Sequence, residues 1–221
     1  MDRPTPWWVR AYRVAFALLA LFAIVVQARH SIVVRDFPPS NFFSFFTIQG
    51  NLIAIAIMLW SASSTTHLPV RPQRDRLRGA AVLYMSVIFV VYGLLLAGYQ
   101  EELQTTIPWV DTVLHRIFPL VVVLDWLIAP PRTLLNIRRA LVWLLYPLLY
   151  AVYSLVRGPL VGWYPYPFLN PAQPGGYGAV TLYFVAILLG SLLFTWIVVT
   201  LGNHVRLVTT GVGSQTQIQQ A

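Results

Sequence analysis

The 221-residue chain contains no cysteine and no lysine, and only 10% of its side chains are charged. Without cysteine it can form no disulfide, thiol nucleophile or cysteine-ligated metal site. A soluble domain carries about 25% charged residues. The scarcity of charge, together with a hydrophobic content of 57%, therefore predicts an all-α polytopic membrane protein.

The net charge of +8 is the difference between fifteen arginines and seven acidic residues, and it does not predict nucleic-acid binding. The arginines stand in short clusters between apolar runs, whereas a nucleic-acid-binding domain collects its basic residues on one face. We therefore expect a membrane environment and no nucleic-acid partner.

Six apolar runs are long enough, at about 1.5 Å rise per residue, to cross or nearly cross a hydrocarbon core of ~30 Å. They are residues 7–28, 41–60, 79–98, 112–129, 140–156 and 179–201. Arg10 and Arg13, near the start of the first run, are expected to snorkel to the head groups. The first run also resembles a signal peptide, but the further runs that follow it favour a membrane span. Residues 211–221 are polar and are expected to form a disordered tail.

The distribution of arginine predicts the orientation of the six-helix bundle. Six spans place both termini on one side, and the opposite end of the bundle has only Arg29, Arg35 and Arg157. The end with the termini collects eleven arginines, which are Arg3, Arg10, Arg13, Arg71, Arg74, Arg76, Arg78, Arg132, Arg138, Arg139 and Arg206. The positive-inside rule therefore predicts that both termini are cytoplasmic, in a multi-pass protein of the plasma membrane.

Ionisable residues in the fourth run point to a functional site. The segment from Asp111 to Trp126 reads DTVLHRIFPLVVVLDW, and charged groups within hydrocarbon are functional by default because they are costly to bury. Thr47 in the second run is the expected partner of His115, because both residues enter from the same surface, at depths of ~9 and ~6 Å. A hydroxyl beside an imidazole is the arrangement of a nucleophile and its base.

Two further residues of the second run accompany Thr47. Ser44, Thr47 and Asn51 share one helix face. Such a face is also typical of helix packing, in which a hydroxyl bonds to the preceding turn, and we expect this role for Ser44. Asn51 is a candidate for a small oxyanion site.

The charged neighbours of His115 allow alternative roles. Asp111, one turn earlier, either orients the imidazole or forms a wetted cap of the helix. Arg116 either holds a substrate carboxylate or snorkels to the head groups. Asp125 lies near the other end of the helix and is expected to pair with a loop arginine.

The remaining histidines do not indicate a metal or cofactor site. His30, His67 and His204 fall at loops or helix ends without ligand spacing, so we expect neither a metal nor a cofactor.

The connection from 157 to 178, RGPLVGWYPYPFLNPAQPGGYG, contains five prolines and cannot form a continuous helix. Its aromatic residues predict either a lid over the site or an interfacial aromatic belt.

Three stretches occur in an order that resembles a known family. They are FFTIQGNLI around Thr47, LHRIFPLVVVLDW around His115 and GWYPYPFLNP around Tyr166-Pro167-Phe168. Together they resemble the androgen-induced/ADTRP family of multi-pass membrane hydrolases and its bacterial relatives. The resemblance implies that Thr47 and His115 are a catalytic pair and that the substrates are fatty acid esters of hydroxy fatty acids. The chain departs from the family in its shorter loops and in Arg116 and Ile117, which follow the histidine.

Two hypotheses of function follow. The first is an intramembrane hydrolase of lipid esters with Thr47 as nucleophile and His115 as base. The alternative is a non-enzymatic membrane protein, either a small-molecule carrier or a regulatory or structural partner, in which this pair only joins two helices. A carrier needs a polar path across the bilayer, and beyond Asn51 the second run reads LIAIAIMLW, which favours the hydrolase.

Overall fold

A computed structural model of the protein describes residues 5–63 and 72–218, with side chains as far as Thr209. Within these ranges the chain forms helices and no strand, because backbone amides in lipid must be satisfied within the segment itself. The α-helices are α1 (Trp7–Ala28), α2 (Pro39–Phe42), α3 (Phe46–Ala62), α4 (Pro72–Val91), α5 (Pro108–Thr112), α6 (Phe118–Ile128), α7 (Ile137–Ala140), α8 (Leu145–Val161) and α9 (Gly176–Ile218). The predicted all-α polytopic fold is confirmed.

Three π-helical turns extend or join these helices within the described ranges. One π-helical turn continues α1, another continues α4, and a third joins α5 to α6; they are Arg29–Val34, Tyr92–Leu96 and Val113–Ile117. Proline explains the third. Pro119 has no N–H to give to the carbonyl of His115 four residues earlier. This favours a π-turn, in which the Phe118 N–H bonds to the Val113 carbonyl five residues before it.

Four helical runs are long and apolar enough to cross a membrane. They are Trp7–Val34, Pro72–Leu96, Ile137–Val161 and Gly176–Thr209. The protein is therefore embedded in a membrane by several helices. The apolar helix α3 has 17 residues, and the fourth predicted span is made of three short pieces, so the count of six spans stays a prediction.

Several predicted boundaries differ from the observed ones. The second predicted span is split, because α2 ends at Phe42 and α3 begins at Phe46. Helix α4 begins at Pro72, well before the predicted Gly79, so Arg74, Arg76 and Arg78 are helical rather than part of a loop. Helix α9 continues to Ile218, into the segment predicted to be a disordered tail, whose last three residues lie outside the described part. His67 and Arg71 also lie outside it, as does Arg3.

Helix α4 is the centre of the bundle, since it packs against α3, α6 and α9, while α1 packs along α3. Small residues permit the close approaches. Ala17, Ala20 and Ala23 are fully buried on one face of α1, as expected for helices that pack in lipid. Gly202 of α9 lies so close to the Trp126 ring that a Cβ at this position would overlap it.

A buried ionic cluster ties three helices together at the arginine-rich end. Asp125 of α6 accepts hydrogen bonds from Arg13 Nε at 2.6 Å and from Arg78 Nη2 at 2.7 Å. The expectation that Arg13 snorkels is wrong, because its side chain is only 3% exposed and finds a carboxylate inside the bundle. Asp125 does pair with arginines, but both belong to helices, α1 and α4, rather than to a loop.

Candidate functional site

The π-turn that follows α5 places His115 against Asp111, one turn earlier. His115 Nδ1 lies 3.2 Å from the Asp111 backbone carbonyl, with hydrogen-bond geometry, and 3.0 Å from the carboxylate Oδ1. Both neighbours are acceptors, so Nδ1 carries the hydrogen. In the neutral ring Nε2 is then unprotonated, which is the state that a general base requires.

Tyr92, at the end of α4, holds the same pair from the other side. Its hydroxyl donates to Asp111 Oδ2 at 2.7 Å, and its ring stacks on the His115 ring with centroids 3.9 Å apart. Asp111 is only 6% exposed, so it is not a wetted cap, and its carboxylate lies where it can orient the imidazole. Arg116 is exposed, and its guanidinium lies 5.6 Å from the centre of the Tyr92 ring.

Thr47 lies in the first turn of α3, where backbone N–H groups lack a helical partner. Its N–H donates to the Tyr166 hydroxyl at 3.3 Å. Burial raises the pKa of the Tyr166 phenol above its usual value, and hydrogen bonds to Thr47 offset part of this rise. The phenol is therefore protonated at neutral pH and able to donate.

An apolar cavity of about 90 Å³ opens beside Thr47. Its walls come from α3, α4 with its π-turn, α8, the connection after α8, and α9. Five lining residues carry a polar side-chain atom: Thr47, Tyr92, Tyr150, Tyr166 and Ser191. The other lining residues are apolar, which suits an acyl chain better than a polar solute.

The structure brings two of the three sequence motifs to this cavity and places the third beside it. Thr47 and the Tyr166-Pro167-Phe168 stretch supply lining residues. His115 lies behind Tyr92, which both lines the cavity and stacks on the imidazole. Among the described residues no hydrogen bond joins Thr47 to His115, so the predicted direct contact is absent in this state.

Asn51 joins the helix of Thr47 to the turn of His115. Its Nδ2 donates to the Thr47 carbonyl at 2.8 Å and to the Leu114 carbonyl at 3.3 Å. The prediction that the second and fourth helices are neighbours is confirmed by this contact. Because both N–H donors are engaged, Asn51 has none left for an oxyanion, and the role predicted for it is replaced by one of positioning.

Ser44 has the packing role expected of it. Its Oγ bonds to the Ser40 carbonyl at 2.6 Å and to the Tyr153 hydroxyl at 2.7 Å. The connection after α8 begins at Gly162, whose φ of +66° ends the helix in the left-handed region. It then turns inward, so that Tyr166 is buried against Phe45 and belongs to the wall of the cavity as well as to an aromatic cluster.

Tyr92 is the site residue that sequence reasoning missed. The chain has 11 tyrosines, and nothing in the spacing of Tyr92 relative to His115 or Thr47 distinguishes it from the others. Its role depends on the packing of α4 against α6 and the π-turn, which only the folded structure reveals.

No protein-family model, no curated protein and no solved structure matches this chain.

Proposed function

We propose that the protein is an intramembrane hydrolase of lipid esters, of the type in which one fatty acid is esterified to the hydroxyl of another. The observation that carries this proposal is the oriented histidine. Asp111 and Tyr92 hold the His115 imidazole with Nδ1 toward Asp111, so that Nε2 is the basic nitrogen of the neutral ring. The ring lies behind the wall of an apolar cavity that Thr47 also lines.

In the proposed reaction Thr47 Oγ attacks the acyl carbonyl carbon, and His115 Nε2 takes the hydroxyl proton. The tetrahedral intermediate collapses when the ester C–O bond breaks, and the protonated imidazole gives its proton to the leaving alkoxide. Water, activated by the same histidine, then attacks the acyl-threonine, which releases the fatty acid and restores both residues.

Catalysis requires Thr47 and His115 to come closer than in this state. Catalytic hydrogen bonds are often long in the unliganded enzyme and shorten when substrate binds. Tyr92 contacts both the cavity and the imidazole, and we propose that its ring moves on substrate entry so that the base reaches the nucleophile.

Tyr166 is the proposed oxyanion donor. Its hydroxyl accepts from the Thr47 N–H, which leaves its own proton to donate beside the nucleophile. Asn51 acts as a positioning residue, because it fixes the Thr47 carbonyl relative to Leu114, the residue before His115.

The substrate is proposed to enter from the lipid between α8 and α9. Both helices contribute apolar side chains to the cavity, among them Leu148 and Ala151 on α8 and Phe184 and Leu188 on α9. Arg116 is exposed, and it is the proposed contact for the free carboxylate of the substrate. The protein is proposed to reside in the plasma membrane with both termini in the cytoplasm, on the asymmetry of its arginines.

One observation favours the non-enzymatic alternative. Thr47 and His115 share no hydrogen bond among the described residues, and Asn51 bonds only to backbone carbonyls, as in a polar contact that joins helices. The orientation of the His115 imidazole is the feature that this alternative does not explain, because a protein that only joins helices needs no basic ring nitrogen.

Hydrolysis of a long-chain ester by purified protein distinguishes the two functions. Thr47→Ala and His115→Ala are each expected to remove nearly all turnover, and the double variant to be little worse, because residues that act as a unit are strongly non-additive. Thr47→Ser keeps the hydroxyl and is expected to keep measurable turnover.

The matched control is Thr195→Ala. Thr195 is likewise a buried helical threonine, with 0% exposure, and its hydroxyl bonds only to the Ser191 carbonyl one turn earlier, at 2.8 Å. Its loss is expected to leave hydrolysis near the wild-type rate. If folded Thr47→Ala hydrolyses the ester as fast as the wild type does, the hydrolase assignment of this site is wrong.

A further inference from the structure

The arginine-rich end of the bundle has a separate cavity of about 240 Å³, which shares no lining residue with the one beside Thr47. It lies between the start of α4 and the segment that leads into α7 and into the 3-10 turn that follows it, Leu141–Leu144. The residues that matter for its chemistry are Arg76, Asn136, Arg139 and Trp143. Two guanidinium groups on one cavity make it strongly cationic.

Neither arginine has a carboxylate partner within the described ranges. Arg76 Nε reaches only the Pro72 carbonyl of its own helix, at 3.4 Å. The guanidinium of Arg139 forms no ion pair among the described residues. The Asn136 side chain uses its oxygen to cap α7, and this leaves the amide N–H groups as donors.

The nearest acidic residue in sequence is already engaged. Asp75 Oδ2 accepts from the backbone N–H groups of Arg132 and Thr133, at 2.8 and 2.9 Å, and from the Thr133 hydroxyl at 3.1 Å. It therefore folds the turn that walls the cavity. The stretch 64–71, which precedes α4, contains no aspartate or glutamate, so it brings no acidic partner.

The surface next to this cavity is apolar. Leu134 lines the cavity and is largely exposed, and Leu141, Val142 and Leu145 continue an exposed apolar strip along the neighbouring helix. In a membrane-embedded protein such a strip contacts acyl chains. A ligand that matches both features carries a negative charge at one end and hydrocarbon at the other.

We propose that this cavity binds the phosphate of an anionic glycerophospholipid in the leaflet that surrounds the arginine-rich end. Arginine presents a planar fork of N–H donors that suits phosphate oxygens. Arg76 and Arg139 bind the phosphodiester, Asn136 donates a further hydrogen bond, and the acyl chains follow the strip from Leu141 to Leu145. A zwitterionic lipid fits less well, because its ammonium group meets the same cations.

The test is a titration of phosphatidylglycerol into the detergent-solubilised full chain, with bound lipid counted by native mass spectrometry. Arg76→Gln and Arg139→Gln are each expected to weaken binding about fivefold, the effect of one arginine near an anionic surface. The matched control is Arg138→Gln, which removes the same charge from the next residue, exposed but outside the cavity, and is expected to change binding little.

Three results would overturn the proposal. Equal losses in all three variants would mean a diffuse attraction to charge. Equal binding of phosphatidylcholine would show that no anionic head group is needed. Displacement of the lipid by glycerol 3-phosphate alone would identify a soluble anion as the ligand.

Both lining arginines are exposed, so their substitution leaves no buried gap. Arg139→Lys serves as a second variant that keeps the charge and loses the fork, and intermediate binding is expected of it.

Discussion

Single residues decide whether this site can perform chemistry, and Tyr92 shows how. Its hydroxyl donates to Asp111 and its ring lies on His115, so one side chain contacts both the imidazole and the carboxylate beside it. The same side chain forms part of the cavity wall. Under the proposed function, a residue with these three contacts is expected to control how closely the imidazole approaches a bound substrate.

Tyr166→Phe tests the proposed oxyanion donor. The phenylalanine keeps the ring packing against Phe45 and Phe168 but removes the hydroxyl, and loss of one oxyanion donor lowers kcat by about 10²–10³-fold. We expect this fall in the kcat of long-chain ester hydrolysis with little change in KM.

The control for this experiment is Tyr153→Phe, which removes a hydroxyl that bonds to Ser44 Oγ and does not line the cavity. It is expected to leave kcat unchanged. Wild-type kcat in Tyr166→Phe, together with an inactive Thr47→Ala, would reject the role of Tyr166 and leave the nucleophile standing.

At the scale of elements, the π-turns are what the apolar pattern did not predict. Periodicity indicates a helix but does not distinguish hydrogen bonds four residues apart from those five apart. Two of the π-turns carry site residues, Tyr92 in one and His115 in the other. The signal that could have located the π-turn of His115 is Pro119, which removes a hydrogen-bond donor four residues after His115.

Buried charge was misjudged for a related reason. Arg13 lies near the start of the first apolar run, where a long side chain usually reaches the head groups. Asp125 is 112 positions away in the sequence, so no local pattern links the two. A buried carboxylate is costly unless it is paired, and the pairing with Arg13 and Arg78 explains how α6 tolerates Asp125.

The orientation of the elements is tested by reporter fusions after Arg76 and after Gly175. The arginine distribution predicts a cytoplasmic signal at Arg76, at the start of α4, and an extracytoplasmic signal at Gly175, just before α9. Each fusion is the internal control of the other, because three predicted spans, an odd number, separate the two positions and require opposite signals. A cytoplasmic signal at Gly175 would contradict both the orientation and the argument that Thr47 and His115 enter from the same surface.

For the whole molecule, composition and apolar runs were enough to predict an all-α membrane protein and to make neighbours of the helices that hold Thr47 and His115. They were not enough to place the two side chains within the bundle. Thr47 faces the cavity while His115 lies behind Tyr92, an arrangement that depends on how α4 packs against the π-turn of His115. Asn51 differs from its predicted oxyanion role for a similar reason, since both of its amide N–H groups donate to backbone carbonyls of neighbouring helical segments.

The central claim, that Thr47 is a nucleophile activated by His115, is tested most directly by mapping a covalent adduct. The full-length protein is treated with a long-chain fluorophosphonate, digested and analysed by mass spectrometry. We predict a phosphonyl adduct on Thr47 in the wild type and in Thr195→Ala, much slower labelling in His115→Ala, and none in folded Thr47→Ala. Labelling of Thr47→Ala at the wild-type rate, or an adduct that maps only to other residues of the wild type, would contradict the account.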